Sequence, residues 1–400
     1  MKRVNFAVVF IILGLVLQFL WEALLWSTIL THPMTSRPTD FSSFYTAGRL
    51  ANAGLYDHLY DVQSELQVQE QLIGRSMRVD EMLPFYHPPI LVPILQILCT
   101  ENYLASYWRW VLVMICVLLG TLVISDRLLQ QAMPGVGNRL LFLLGSASFF
   151  PVFTSLLKGQ DTAFLLLGGV LWLYGLIKKK DKIAGLGLAL TIIRPQIAII
   201  LAVPFIFKRR MVWWWFCLAA ACLAVYSLAL VGFSGVRDFF QLLVISGKGE
   251  GYGIIQNVMF NFSGILLRLF PGLSLTIIPK LAWGLFLAVI VGLSILWKIS
   301  PQIDIWHIVL AISLSLFVAP HLYYHDLSFL YVSILAVVLY MGSDKTKLKS
   351  GYPVILLISI SLIFLFSYFW DPLILPFGYL LMVVLPILAW RMKATQSVLN

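Results

Sequence analysis

Residues 178–210 read KKKDKIAGLGLALTIIRPQIAIILAVPFIFKRR. Three lysines open the stretch, and Lys208-Arg209-Arg210 closes it. Between them lie two apolar runs, 183–193 and 196–207, each shorter than the ~20 residues a membrane-spanning helix needs. They meet at Arg194-Pro195-Gln196. Proline cannot continue a helix without losing a backbone hydrogen bond, and a guanidinium at membrane depth is expensive. Broken backbone within a bilayer is tolerated where it lines a cavity in the protein. The stretch therefore predicts a bent hairpin, its basic ends at one membrane surface and Arg194 at a cavity near the other.

The rest of the chain agrees with a membrane setting. Of 400 residues, 60% are hydrophobic and 12% charged, with mean hydropathy +0.91. A soluble domain is about 25% charged, so this chain lacks the charge to cover a soluble surface. A cytosolic enzyme, a secreted disulfide scaffold and a disordered chain are excluded. The net charge of +10 fits basic clusters at cytoplasmic helix ends better than nucleic-acid binding. Cys99, Cys116, Cys217 and Cys222 form no CxxC pair and read as small buried hydrophobes.

Further apolar runs fall near 6–26, 103–125, 139–157, 162–177, 211–232, 276–298, 303–319, 327–341, 352–369 and 373–390. A polar segment follows the first run, and residues 88–99 are apolar but too short to span, so an interfacial helix is expected there. With that segment not spanning, the clusters at 178–180, 208–210, Lys345/Lys347/Lys349 and Arg391/Lys393 all fall on one side. The positive-inside rule makes that side cytoplasmic. The expectation is an all-α polytopic membrane protein: about twelve transmembrane helices, both termini cytoplasmic, one domain over residues 1–400, and a long first extracytoplasmic loop at 28–102.

This register gathers polar residues on the outer side. Asp40, His58, Asp61 and His87 lie in the first loop, and Lys158, Gln160 and Asp161 in a tight turn. Arg194 lies at the hairpin tip, Asn257, Asn261 and Arg268 in a later loop, and His321, His325 and Asp326 in the last turn. Two readings stand for Asp40: an N-cap for a helix from Phe41, or chemistry at a lipid head group. Arg194 is either a snorkelling surface residue or a phosphate clamp. His321 and His325, at i and i+4, are a metal pair or contacts to phosphate and sugar hydroxyls. No third ligand stands at motif spacing, so no metal is assigned. No P-loop, GxSxG or HExxH is present, so the cavity works without nucleotide hydrolysis.

The segment from Asp40 to Leu50, with Ala53-Gly54-Leu55-Tyr56-Asp57, resembles the DFxxYYxAGRxxxxGxxLYD signature of glycosyltransferase family 87. Tyr86-His87-Pro88-Pro89 resembles that family's YPP segment. Gly159-Gln160-Asp161 resembles its GQxN turn, with Asp for Asn. Ala184 to Pro195 resembles its AGxxxGLxxxxKP hairpin, with Arg for Lys, and Asn261 to Leu269 its NxSxxxLLxRL segment. Ala319-Pro320-His321 departs from the family's histidine after Ser-Pro.

The resemblance implies a GT-C fold enzyme using a polyprenyl monophosphate sugar donor, with its active site on the extracytoplasmic face of a bacterial inner membrane. Asp40 is the general base by this resemblance. Arg194, Lys158, His321 and His325 are expected to bind the donor phosphate. His87, Gln160, Asp161, Asn261, Arg268 and Tyr45 are expected to contact the substrates. The expected reaction is inverting transfer of a hexose such as mannose to a glycolipid or glycan acceptor, with no cofactor and no nucleic-acid partner. A transporter or flippase of an anionic lipid-linked sugar is the alternative. A non-enzymatic assembly subunit ranks below both.

Overall fold

The computed structural model describes residues 6–31, 40–247, 252, 258–272, 277–342, 357, 359–365 and 371–397. Asn257, the lysines of 345–349 and much of the run 352–369 lie outside the described residues. Among those described, every regular element is helical.

Five helices are long and apolar enough to cross a membrane: Ile11–Thr28, Tyr103–Ala132, Arg210–Ser246, Ile277–Ile299 and Tyr324–Met341. The run expected at 139–157 is two helices, Val136–Ala147 and Phe150–Lys158, bent by 44° and countable as a sixth span. Pro151, in the first turn of the second, helps place the break. Shorter apolar helices occupy Thr162–Ile177, Pro195–Ile206, Ile305–Val318 and Phe377–Met392. A count of twelve crossings depends on these short elements. The span Tyr324–Met341 is central, 78% buried, whereas Arg210–Ser246 is 11% buried and peripheral.

Two expected boundaries move. The run expected to end at 232 continues to Gly247, kinked at Gly232, whose φ is 68°. That dihedral lies in the left-handed region open to glycine, so the apolar pattern passes through a bend. Residues 88–99 form a 3-10 turn at Pro89–Leu91 and a seven-residue helix, Val92–Leu98.

The helices that position the site are labelled α1 (Phe41–Asn52), α2 (Val62–Ile73), α3 (Tyr103–Ala132), α4 (Phe150–Lys158), α5 (Thr162–Ile177), α6 (Asp181–Leu190), α7 (Pro195–Ala202), α8 (Arg210–Gly247) and α9 (Ile277–Ile299). Glycines let α5 and α6 approach closely. A Cβ on Gly175 would lie 2.3 Å from the Ala184 nitrogen, and one on Gly187 2.5 Å from the Trp172 nitrogen. The hairpin predicted around Arg194 is present. At its base Arg209 Nε donates to Asp181 Oδ1 at 2.8 Å, and its Nη1 to the Leu176 carbonyl at 3.0 Å. Its tip lies against Asp161, at the other end of α5. The 16 residues of α5 rise about 24 Å at 1.5 Å per residue. They separate the basic end from the end that carries Asp161.

Candidate active site

The Asp161 end of α5 is organised by the turn after α4. Gly159 takes φ 70° and ends the helix. A side chain there would put its Cβ 2.7 Å from Phe41 Cβ, so the glycine also lets the start of α1 close on the turn. From α3, Trp110 Nε1 donates to the Gly159 carbonyl at 2.8 Å and Tyr107 Oη to the Leu157 carbonyl at 2.8 Å. This packing brings Asp40 against Gln160 across 120 residues of sequence.

Asp40 precedes α1, but its side chain makes no capping bond. Its carboxylate accepts from Gln160 Nε2 at 2.9 Å. Its Oδ2 lies 3.8 Å from His325 Nδ1, and the side chain is 28% exposed. The cap reading therefore gives way to a partly exposed carboxylate held by Gln160.

Arg194 takes extended backbone, φ −122° and ψ 78°, as a residue before proline must. Its side chain is buried. Nε donates to Asp326 Oδ1 at 2.9 Å, and Nη1 lies 3.0 Å from Asp161 Oδ1. Nη1 also reaches the Ile193 carbonyl at 3.3 Å, and Nη2 the Gln160 Oε1 at 3.4 Å. The phosphate clamp expected at this position is already filled by two carboxylates of the protein. Gln160 thus joins the open carboxylate of Asp40 to the sealed Arg194 cluster, one end of its amide to each.

His87 Nδ1 lies 2.9 Å from Asp161 Oδ2 and 3.1 Å from Arg194 Nη1. That nitrogen serves one of them at a time, as donor to the carboxylate or acceptor from the guanidinium. Burial pushes the Asp161 carboxyl up, but Arg194 and His87 outweigh it and hold the group well below the usual carboxylate range. The guanidinium occupies the place a cation would take between these acids. Among the described residues no three or more His, Cys, Asp or Glu side chains gather as a metal-ligand set.

His321 and His325 do not share a helix face. His325 is buried in the 3-10 turn Tyr324–Phe329, its Nε2 3.7 Å from Asp326 Oδ2 and its Nδ1 without a hydrogen-bond partner. His321 stands outside that turn, beside Tyr86 and Tyr323, with Nδ1 3.5 Å from Ser246 Oγ. Burial pushes the His321 imidazole down to about 4, so at neutral pH it offers a hydrogen bond and no positive charge.

The remaining candidates separate. Lys158, half-buried beside the turn, acts electrostatically on His325 and has no carboxylate within 4 Å among the described residues. Tyr45 faces away from the carboxylates, donating to the Glu101 carbonyl at 3.1 Å and packing on Tyr103. Asn261 caps the helix Phe262–Leu269 by accepting from the Gly264 nitrogen at 2.8 Å. Its Nδ2 donates to the Ala319 and Pro320 carbonyls. Arg268 donates to the Met259 carbonyl and to Tyr379 Oη. Each of the last three holds a backbone carbonyl of a neighbouring segment.

Sequence reasoning grouped Asp326 with His321 and His325 in the last turn but gave it no partner, and it supplies half of the Arg194 grip. Also unforeseen is a tether on residues 83–87, which carry His87. Gln69 on α2 exchanges two hydrogen bonds with the Leu83 backbone, at 2.9 and 3.1 Å. Glu65 on α2 accepts from the Phe85 nitrogen at 2.9 Å, and Tyr60 Oη donates to the His87 carbonyl at 2.9 Å. Burial raises the Glu65 carboxyl well above its usual range, against the pull of the Phe85 N–H.

The model of glycosyltransferase family 87 matches residues 85–339. No curated protein and no solved structure matches the chain. The matched region holds His87, Gln160, Asp161, Arg194 and Asp326, and Asp40 reaches the same cluster from outside it. With more than half its length in that match, the chain belongs to glycosyltransferase family 87.

Proposed function

We propose that the protein is an inverting glycosyltransferase that moves a hexose, with mannose the first choice, from a polyprenyl monophosphate sugar to a glycolipid or glycan acceptor. On this reading the Asp40 cluster faces the extracytoplasmic side of a bacterial inner membrane, and the chain crosses about twelve times with both termini cytoplasmic. Asp40 takes the proton of the acceptor hydroxyl while that oxygen bonds to the anomeric carbon. The bond from that carbon to the phosphate oxygen breaks, and polyprenyl phosphate leaves with the electron pair. Lys158 answers the growing phosphate charge, with hydrogen bonds from His321. His325 Nδ1 stands beside the Asp40 carboxyl to receive its proton. Arg194 orients Gln160, which in turn aims the base.

The observation that carries this reading is the contrast among three carboxylates. Asp161 and Asp326 are sealed on Arg194, whereas Asp40 is partly open and held by one neutral amide. Membranes bearing Asp40→Asn, given labelled polyprenyl-phosphate mannose, are expected to lose transfer by at least the 10²–10⁴-fold typical of general-base catalysis, with protein level and melting unchanged. Wild-type turnover by that variant would refute the mechanism. Uptake of the lipid-linked sugar across the bilayer with no glycosylated product would favour the transporter.

A further inference from the structure

At the basic end of α5, away from the Asp40 cluster, a groove of about 360 Å³ opens between residues 203–207 and α9. Its walls are Val203, Ile206, Phe207, Ile290, Val291 and Ile295. Val291 and Ile295 are more than half exposed, so the groove is open along the outer face of α9. Two polar side chains also line it, Ser294 and Lys298.

Ser294 is 8% exposed, and its hydroxyl has no hydrogen-bond partner. A serine inside a helix ordinarily returns its proton to a carbonyl one turn back, as Ser300 does to Leu296 at 2.7 Å. A buried hydroxyl without a partner is costly, and Ser294 is one of the residues that line an apolar groove. Lys298 lies one turn further along the same helix, about 5–6 Å away. Its ammonium sits 5.9 Å from the Phe207 ring, with no carboxylate within 4 Å among the described residues. Lys208 reaches the Pro301 carbonyl nearby at 3.2 Å. Trp214, 64% exposed at the start of α8, and Lys182 over the Trp215 ring mark the same end as an aromatic and basic belt.

A cation, then an unpaired hydroxyl one turn deeper, then an apolar channel is the order of groups along a phospholipid: phosphate, ester carbonyl, acyl chain. We propose that this groove is a binding site for one anionic phospholipid. Its phosphate lies on Lys298, an ester carbonyl accepts from Ser294 Oγ, and an acyl chain runs along Val291, Ile290 and Val203. The site shares no residue with the Asp40 cluster. Only its placement in the cytoplasmic leaflet rests on the orientation proposed above.

The test uses the full chain purified in detergent and read by native mass spectrometry during titration with phosphatidylglycerol or phosphatidylcholine. One phosphatidylglycerol is expected to bind at least fivefold more tightly than phosphatidylcholine. Lys298→Met should remove that preference, Ser294→Ala should weaken both lipids, and Val291→Trp should fill the groove and remove the adduct. Lys182→Met, on the same belt but outside the groove, should change nothing. Melting curves identify any variant that misfolds, and Lys298→Met and Ser294→Ala make separate readouts. Equal binding of the two lipids by wild type, or an undiminished adduct in Val291→Trp, would overturn the proposal. So would displacement of the adduct by equimolar undecaprenyl phosphate, which would make the groove a seat for the donor's chain. None of these readouts depends on transferase activity.

Discussion

Replacing Arg194 by methionine keeps most of the side-chain volume and removes the charge. Asp161 and Asp326, both buried and 3.0 and 2.9 Å from the guanidinium, then face each other's charge without a cation. Removing one partner of a buried ion pair costs about 3–5 kcal/mol, because the other charge is left uncompensated. The loss depends on pH. In the wild type the Asp161 pKa is depressed, so its contribution is present above the unfolded value near 3.9 and is lost only in strong acid. In Arg194→Met only the histidines, His87 first, still oppose burial, and the facing Asp326 charge adds to burial, so that pKa rises. The unfolded chain then releases its proton first, and stability falls as pH rises above about 4. Thermal unfolding in detergent at pH 5 and pH 8 is the assay. The deficit should approach 3–5 kcal/mol at pH 8 and shrink at pH 5. The triple variant Arg194→Met/Asp161→Asn/Asp326→Asn should recover most of it, since replacing a whole buried charge set is often close to neutral. If the single variant matches wild type at pH 8, or the triple is no more stable than the single, the Arg194 cluster is not the buried charge set described.

Three further outcomes are expected. Gly159→Ala forces a side chain onto a backbone with φ 70° and against Phe41; it should cost about 1–3 kcal/mol and lower turnover more than it raises the acceptor KM, because the turn aims Gln160 at Asp40. Glu65→Gln keeps the acceptor for the Phe85 N–H without an ionisable group, and the native carboxyl has a raised pKa; the variant should be at least as stable as wild type at pH 8, its advantage narrowing toward pH 5, while Glu65→Leu strands the N–H and loses about 1–3 kcal/mol at both. His321→Gln should flatten the wild-type stability loss between pH 6.5 and 4, where the unfolded chain takes up a proton that the imidazole, at about 4, refuses; the difference in slope should be up to about 1.4 kcal/mol per pH unit.

The hairpin around Arg194 was legible because charge and proline interrupt an apolar run, and those signals are local. The cluster it serves was half legible. Asp40, Gln160 and Arg194 stood out as polar residues that a membrane protein does not scatter freely. What they bond to was hidden, because Arg194 and Asp326 are 132 residues apart and an ion pair leaves no periodicity. Arg194 was therefore read as a clamp for an external phosphate, and the protein supplies its own anions. The bonds of Tyr45, Asn261 and Arg268 within the protein were hidden for a related reason: a polar side chain looks the same in sequence whatever it meets. The 83–87 tether escaped because Gln69 and Glu65 fit an ordinary surface-helix pattern.

That tether splits its segment into two faces. Residues 83, 85 and 87 are held through their backbones by Gln69, Glu65 and Tyr60, an arrangement that does the work of a neighbouring β-strand with side chains alone. The Tyr86 side chain keeps out of that ladder: its ring stands 6.1 Å from His321 and its hydroxyl donates to the Tyr252 carbonyl at 3.4 Å. A new side chain at position 86 therefore gives up that one bond and leaves all three backbone tethers in place. His87 stays fixed while its neighbour answers to a different part of the molecule, so two separate duties fall to alternate residues of one short segment.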